Sequence, residues 1–261
     1  MTVPAGSEGY LAQTIRRLGQ TGFETALADW FQRLVGPDSL VVLTYADSGR
    51  PEILYRQSRT PAVFARLDST YVAGAYLLDP NYDLHLRRVP AGAYRLSEVS
   101  PDAFQRSRYY LEYLRETGIV DEVTFVAYPA PGLSLNLCLS RDGGSETRFA
   151  ARDVAICRQI APVVVALAER HWAALRPRSG ADDVTAALID GVSRTRGVRL
   201  TPRQAEVALL ILRGHSTPSI GLRLGVSPGT VKVFRRQLYG RLGLTSQAEL
   251  FALLVPLLSP A

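Results

Sequence analysis

The sequence predicts an α+β domain over 1–175, an antiparallel sheet flanked by helices, followed by an all-α unit of four short helices over 200–261. A linker at 176–199 separates the two. Three observations predict this order. Stretches of strand composition, "SLVVLTY" (39–45), "EILYRQ" (52–57) and "DEVTFVAYPAPGLSLNLCLSR" (121–141), are punctuated by turn residues. Apolar residues recur at helical spacing over 8–35 and 151–175, on either side of those strands. Residues 200–258 break into short periodic stretches separated by helix caps and glycine stops. Strands between helices at both sequence ends make an α+β domain.

The front domain opens with one amphipathic helix over 8–35, whose apolar side carries Tyr10, Leu11, Ile15, Leu18, Phe23, Leu27, Trp30, Phe31 and Leu34. The strands at 39–45 and 52–57 form a hairpin across "ADSGR". A helix over 61–76 leads to "LLDPNYDLHLRR", and Ser100 with Pro101 starts another over 100–117. Two strands share 121–141 around a Pro/Gly turn, "ETRF" (146–149) offers a further one, and a long helix over 151–175 closes the domain. In the linker, "RPRSGADDVTAALIDGVSRTRGVR", 182–190 is readable as one short helix.

In the C-terminal unit, Thr201 caps a first helix with Pro202 at its first position. Gln204 reads as one place short of completing a capping box. "STPSIGLRLG" (216–225) is a second helix closed by Gly225, and "VSPGTVKVFRRQLYGRLG" a third, capped by Ser227. "SQAELFALLVPLL" (246–258) is a fourth that Pro256 is expected to shorten or kink. The third helix places Val231, Phe234, Leu238 and Leu242 on a core stripe. Lys232, Val233, Arg235, Arg236 and Tyr239 fall mostly off it. Lys232 is the only lysine in the chain. Seven of the Lys/Arg side chains and two Glu lie in 200–261, a net of +5 against +6 for the whole chain, so the positive field belongs to this unit. Such a field favours a phosphate backbone, and Thr230 sits in a first turn whose amides favour an anion. Helix, tight turn, cationic helix is the helix-turn-helix arrangement.

Residues 200–250 resemble the DNA-binding domain of LuxR-type transcriptional regulators. The resemblance is carried by "LTPRQAEV", "G-x-S" at 214–216, "I-x-x-x-L" at 220–224, "S-x-x-TVKV" at 227–233 and "L-x-x-RLGL" at 238–244. It implies that Lys232, Val233 and Arg236 face the DNA groove and that Thr230 lies near a phosphate. Arg235 and Arg241, cationic residues of the same helix, are expected to touch phosphates only. The sequence departs from the family pattern at Ser219, Gly221, Phe234 and Arg241, where Glu, Ala, His and Lys are usual. The front domain's order resembles GAF- and PAS-like domains and the autoinducer-binding domains of the same regulators, a likeness of fold alone.

Other functions find little support. No Gly-rich phosphate loop with lysine and no G-x-S-x-G elbow is present. His85, His171 and His215 are isolated, and Cys138 and Cys157 lack metal-ligand spacing, so neither enzyme, metal nor cofactor is expected. His171, beside Trp172, reads as a packing histidine. A phosphorylated receiver domain needs a lysine that the front domain lacks. A hydrophobic fraction of 47% gives material for a core, while "IAPVVVALA" (160–168) is far below the ~20 residues of a membrane span. With no secretion signal at the start, a cytoplasmic protein is expected.

Control by a small molecule then becomes the expectation. Asp79-Pro80 lies among Tyr71, Tyr76 and Tyr82, with Tyr55 on a nearby strand, and these five are the candidate ligand residues. Asp-Pro is equally a turn signal. Autoinducer-binding domains carry an Asp-Pro pair whose aspartate accepts a ligand amide, but the tryptophans that flank it there are absent here. The expected effector is therefore an amine- or amide-bearing molecule other than an acyl-homoserine lactone. Arg56, Arg87 and Arg88 are candidate partners for Asp79. The expected partners are double-stranded DNA, a small-molecule effector, a second copy of the chain and RNA polymerase. The alternative is a front domain that serves only dimerisation or protein interaction.

Overall fold

The computed structural model describes residues 3–47, 50–143, 147–176 and 184–258. The chain divides into two compact units. One comprises Met1–Arg66, Asn81–Val99 and Thr117–Ser179, the other Leu67–Pro80, Ser100–Glu116 and Gly180–Ala261.

The first unit is built on five antiparallel strands: β1 (Ser39–Ala46), β2 (Glu52–Ser58), β3 (Gly92–Arg95), β4 (Asp121–Ala127) and β5 (Leu133–Arg141), in the order β2-β1-β5-β4-β3. Leu40 and Val42, Val123, Phe125 and Ala127, and Leu135, Leu137 and Leu139 alternate onto one face. That face packs against α2 (Phe23–Leu34) and α6 (Ala151–His171), with Phe31 stacked on Phe125 at 5.4 Å. Pro162 lies inside α6 without ending it. The single helix expected over 8–35 is two, α1 (Ser7–Arg16) and α2. The chain breaks where Gly19 and Gly22 take φ of 73° and 89°, a left-handed geometry that an α-helix cannot continue through.

The stretch 61–76 is no α-helix either. Pro61–Phe64 is a 3₁₀ turn, Leu67–Tyr71 a π-turn and Ala75–Leu78 another 3₁₀ turn. The expected helix over 100–117 is likewise a 3₁₀ turn (Phe104–Arg106), a π-segment (Tyr109–Leu114) and the short α5 (Arg115–Thr117), restarted where the Tyr110 amide donates to Ser107 Oγ at 3.2 Å. Of "ETRF", residue 146 lies outside the described residues and 147–149 form no strand. The hairpin turn at 48–49 is also outside them. The strand β3 and the helices α3 (Pro80–Leu86) and α4 (Leu96–Val99) were not anticipated.

The second unit holds α7 (Val184–Arg196), α8 (Pro202–Leu212), α9 (Thr217–Leu224), α10 (Pro228–Leu242) and α11 (Gln247–Leu258). The short linker helix is thus a 13-residue helix, its reading at 182–183 lying outside the described residues. Leu188 and Val192 of α7 are buried, and α7 packs on α8 and α11. Helix α11 is not shortened at Pro256. Gln204 is the third helical residue after Thr201, not one place short. The Gln204 amide donates to Thr201 Oγ1 at 3.2 Å and the Thr201 amide to Gln204 Oε1 at 3.1 Å, a complete capping box. Ser216 and Ser227 cap α9 and α10 in the same way, accepting from the Ser219 and Thr230 amides. At Gly221 a Cβ would lie 2.8 Å from the Val226 carbonyl oxygen, so the turn between α9 and α10 is as tight as glycine allows.

Candidate functional site

Helix α10 buries Val231, Leu238 and Leu242 and leaves the opposite side to solvent. Phe234, expected on the core stripe, is half-buried. Lys232 and Arg236, one helical turn apart, are exposed, and Val233 beside them is 39% exposed. Thr230 stands in the first turn, its hydroxyl 2.9 Å from Ser227 Oγ. The two remaining arginines are engaged within the unit. Arg235 Nη1 donates to Thr217 Oγ1 at 3.2 Å, which ties α10 to the start of α9. Arg241 Nη1 donates to the Arg199 carbonyl (3.0 Å) and Gln204 Oε1 (3.3 Å), fixing the end of α10 to the start of α8. A guanidinium has five donors, so both keep capacity for a phosphate while they hold the frame.

Of the five candidate ligand residues, the structure gathers three. Asp79 is buried, 4% exposed, and Tyr71 donates its hydroxyl to Asp79 Oδ2 at 2.6 Å. The Tyr71 ring neighbours Tyr76 at 6.4 Å and Tyr113 at 5.5 Å, and Tyr113 continues to Tyr109 and Phe104. Sequence reasoning does not reach Tyr113 and Tyr109, because nothing local brings the segment Tyr109–Leu114 beside Tyr71. Of the arginines expected as partners of Asp79, Arg87 pairs with Asp83 at 4.0 Å and Arg88 with Asp47.

Tyr82 and Tyr55 belong to the first unit and to opposite faces of its sheet. Tyr55 lies opposite Val42 on the α2/α6 side, its hydroxyl donating to Gln57 Oε1 at 2.5 Å. Tyr82 lies on the other face, 5.3 Å from Tyr45 and 5.8 Å from His85. That face carries Glu122, Thr124, Ser134, Asn136, Cys138 and Ser140, all buried. Asn81 donates to Glu122 Oε1 at 2.6 Å and Ser140 to Glu122 Oε2 at 2.9 Å. Asn136 Nδ2 donates to the Asn81 carbonyl at 3.3 Å. His85 Nδ1 is 2.9 Å from Ser134 Oγ, whereas His85 Nε2 and Asn136 Oδ1 are buried with no hydrogen-bond partner among the described residues. Asp47, 3.6 Å from Nε2, is beyond hydrogen-bond reach.

Burial, reinforced by the charge of Arg88, pushes the His85 imidazole down to about 4, so it is neutral near pH 7. The unfolded chain binds a proton near pH 6.5 that the folded chain takes up only near pH 4. Stability is therefore full above about 6.5 and falls as pH drops from there to 4, by about 3 kcal/mol from this group. His85→Gln is expected to flatten that part of a urea-unfolding series against pH. A wild-type series equally flat would contradict the buried neutral histidine.

The other histidines are structural or local. His171 stacks on Phe23 at 3.9 Å and accepts the Gly19 amide at Nδ1, and His215 Nδ1 lies 2.9 Å from Ser219 Oγ. Burial pushes the Cys157 thiol up to about 12, which leaves it inert. Among the described residues no helix is long and apolar enough to cross a membrane.

A capped helix-turn-helix with a cationic outer helix defines the class of DNA-binding transcriptional regulators. Residues 198–254 match the bacterial regulatory proteins, luxR family. A putative HTH-type transcriptional regulator in the exeN 3'region of Aeromonas salmonicida is 31% identical over 182 residues, 67% of this chain and 92% of the relative. The chain belongs to the luxR family, whose members are DNA-binding regulators rather than enzymes. The VqsR LBD domain from Pseudomonas aeruginosa shares the fold over 65% of this chain and 98% of its own, at 24% identity and a TM-score of 0.54. Escherichia coli SdiA aligns over 97% of both chains at 15% identity and a TM-score of 0.43.

Proposed function

We propose that this luxR-family regulator binds double-stranded DNA as a homodimer through Lys232, Val233 and Arg236, with Thr230, Arg235 and Arg241 at phosphates. We further propose that a small molecule held at Asp79 controls it. Helix-turn-helix dimers read two-fold half-sites, which supports the dimer, and acting on the chromosome places the chain in the cytoplasm. The observation that carries the ligand reading is the burial of Asp79 beside Tyr71, Tyr76 and Tyr113. A carboxylate accepts several hydrogen bonds, so a ligand N–H can share it with the Tyr71 hydroxyl while the ligand's apolar part packs on the rings. An amine- or amide-bearing amphipathic molecule fits that chemistry. An acyl-homoserine lactone is not favoured, because the tryptophans expected around it are absent.

The test heats the full chain against a library of small amines and amides. At least one compound should raise the unfolding midpoint, since a ligand of the folded state stabilises it by mass action. Asp79→Asn should cost that compound about 2–4 kcal/mol of binding, the value of a hydrogen bond to a charge plus its desolvation. No hit at all would favour a front domain that serves only dimerisation or protein contact. A hit untouched by Asp79→Asn would move the site away from this carboxylate.

A further inference from the structure

The turn between α8 and α9 is held by the same segments that carry the Asp79 cluster. Residues 67–80 and 100–116 belong to one compact unit with the helix-turn-helix. Arg213, which ends α8 and is 8% exposed, donates Nε–H to the Leu77 carbonyl at 2.8 Å. Leu77 lies two residues before Asp79, in the turn Ala75–Leu78, and the Asp79 amide bonds back to the Tyr76 carbonyl at 3.0 Å. Gly214, at φ 89°, lies so close to the 100–116 segment that a Cβ would meet Ser107 Cβ at 3.0 Å and the Ala103 carbonyl oxygen at 3.4 Å. No other residue satisfies both that conformation and that approach. Finally, the Ser216 amide, at the cap of α9, donates to Asp102 Oδ1 at 3.1 Å.

The chemistry of the last contact gives the device a direction. In helix-turn-helix proteins the first helix crosses the DNA backbone while the second enters the groove. A helix start offers amides and a positive dipole end to a phosphate. Here the start of α9 adjoins the cationic side of α10, because Arg235 bonds Thr217. The anion at that place is the carboxylate of Asp102. The Ser216 hydroxyl, and to a lesser degree its amide and the His215 charge, hold that carboxyl below its ordinary value, so it stays ionised and bound.

We propose that Asp102 is an internal phosphate substitute and that Arg213, Gly214 and Ser216 form an autoinhibitory latch, which an occupant of the Asp79 cluster releases by shifting the Leu77 carbonyl. The latch rests on the DNA-binding reading above, but its existence can be read without DNA. Asp102 is exposed, so Asp102→Asn leaves the core intact. Hydrogen exchange should speed at the Ser216–Ser219 amides in that variant, and unchanged protection there would remove the latch whatever the chain does with DNA.

The DNA arm uses the full chain and a 30-base-pair duplex of random sequence, because competition for a phosphate position does not depend on bases. Asp102→Asn should tighten duplex binding by roughly twofold to fivefold, the range of one helix-end charge. Neutralising any nearby acid would do some of that through the general field. Arg213→Gln separates the two causes. Loss of a cation weakens DNA binding by field alone, whereas release of the latch strengthens it. Tighter binding by both variants supports the latch. Tighter binding by Asp102→Asn with weaker binding by a folded Arg213→Gln reduces Asp102 to a repulsive charge and overturns it. If no variant, nor the wild type, binds duplex, the DNA-binding reading fails and the proposal falls with it, even where exchange at Ser216 responds.

Discussion

Asp121→Ala is expected to cost about 3–5 kcal/mol of folding stability, the usual loss when one partner of a buried ion pair is removed. Asp121 opens β4, 4% exposed. Its carboxylate receives Arg95 Nε at 3.2 Å and Nη2 at 2.6 Å from the neighbouring β3. It also receives the Phe149 amide at 3.0 Å, from the segment that leads into α6. Arg95 Nη2 in turn donates to the Phe149 carbonyl at 3.0 Å, and Arg141 lies over the Phe149 ring at 4.8 Å. One carboxylate therefore joins an edge strand, a central strand and the start of the longest helix. The pair is also electrostatic: the Arg95 guanidinium is held above its ordinary value, first by its hydrogen bond to Asp121. Alanine would leave that guanidinium, 21% exposed, and the Phe149 amide without their acceptor. Asp121→Asn keeps one acceptor oxygen and should lose less. Urea unfolding measures both, and an alanine variant within 1 kcal/mol of wild type would mean that water replaces the network at little cost.

The C-terminal unit was readable because its determinants are local: Ser216 and Ser227 accept amides three residues ahead, and Gly225 and Gly243 end their helices. The strands were readable because "LSLNLCLS" alternates. Alternation, however, says only that two faces differ, and its ordinary meaning is one face in water. Here the polar set, Ser134, Asn136, Cys138 and Ser140, is as buried as the leucines between them. Nothing local announces that, so His85 looked isolated although it meets Ser134 across 49 residues. The stretches 61–76 and 100–117 read as α-helix, the second from its Ser100–Pro101 start, but fold mainly as 3₁₀ and π turns. Their geometry is set by distant partners, such as Arg213 on Leu77.

Combined replacement of Lys232 and Arg236 by alanine is expected to abolish selective DNA binding, with a loss of about 10²- to 10⁴-fold on a selected site. Each good base contact is worth about 1–3 kcal/mol, and two side chains a turn apart share neighbours, so the sum is less than additive. Both side chains are exposed on α10 while Val231, Leu238 and Leu242 hold the helix from the other side, so the fold should survive and the unfolding midpoint stay put. Arg235→Ala is the contrast. That residue supports α9 through Thr217, so its loss should weaken every sequence alike and soften the unit. Lys232→Arg asks why the chain's sole lysine stands here. A lysine is a compact point donor and an arginine a broad planar fork. The swap should therefore keep random-sequence affinity and its salt dependence, yet change the bases preferred at one position. A binding-site selection that returns the wild-type motif from both Lys232→Arg and the double alanine variant would take base reading away from this face and leave it to the arginine frame.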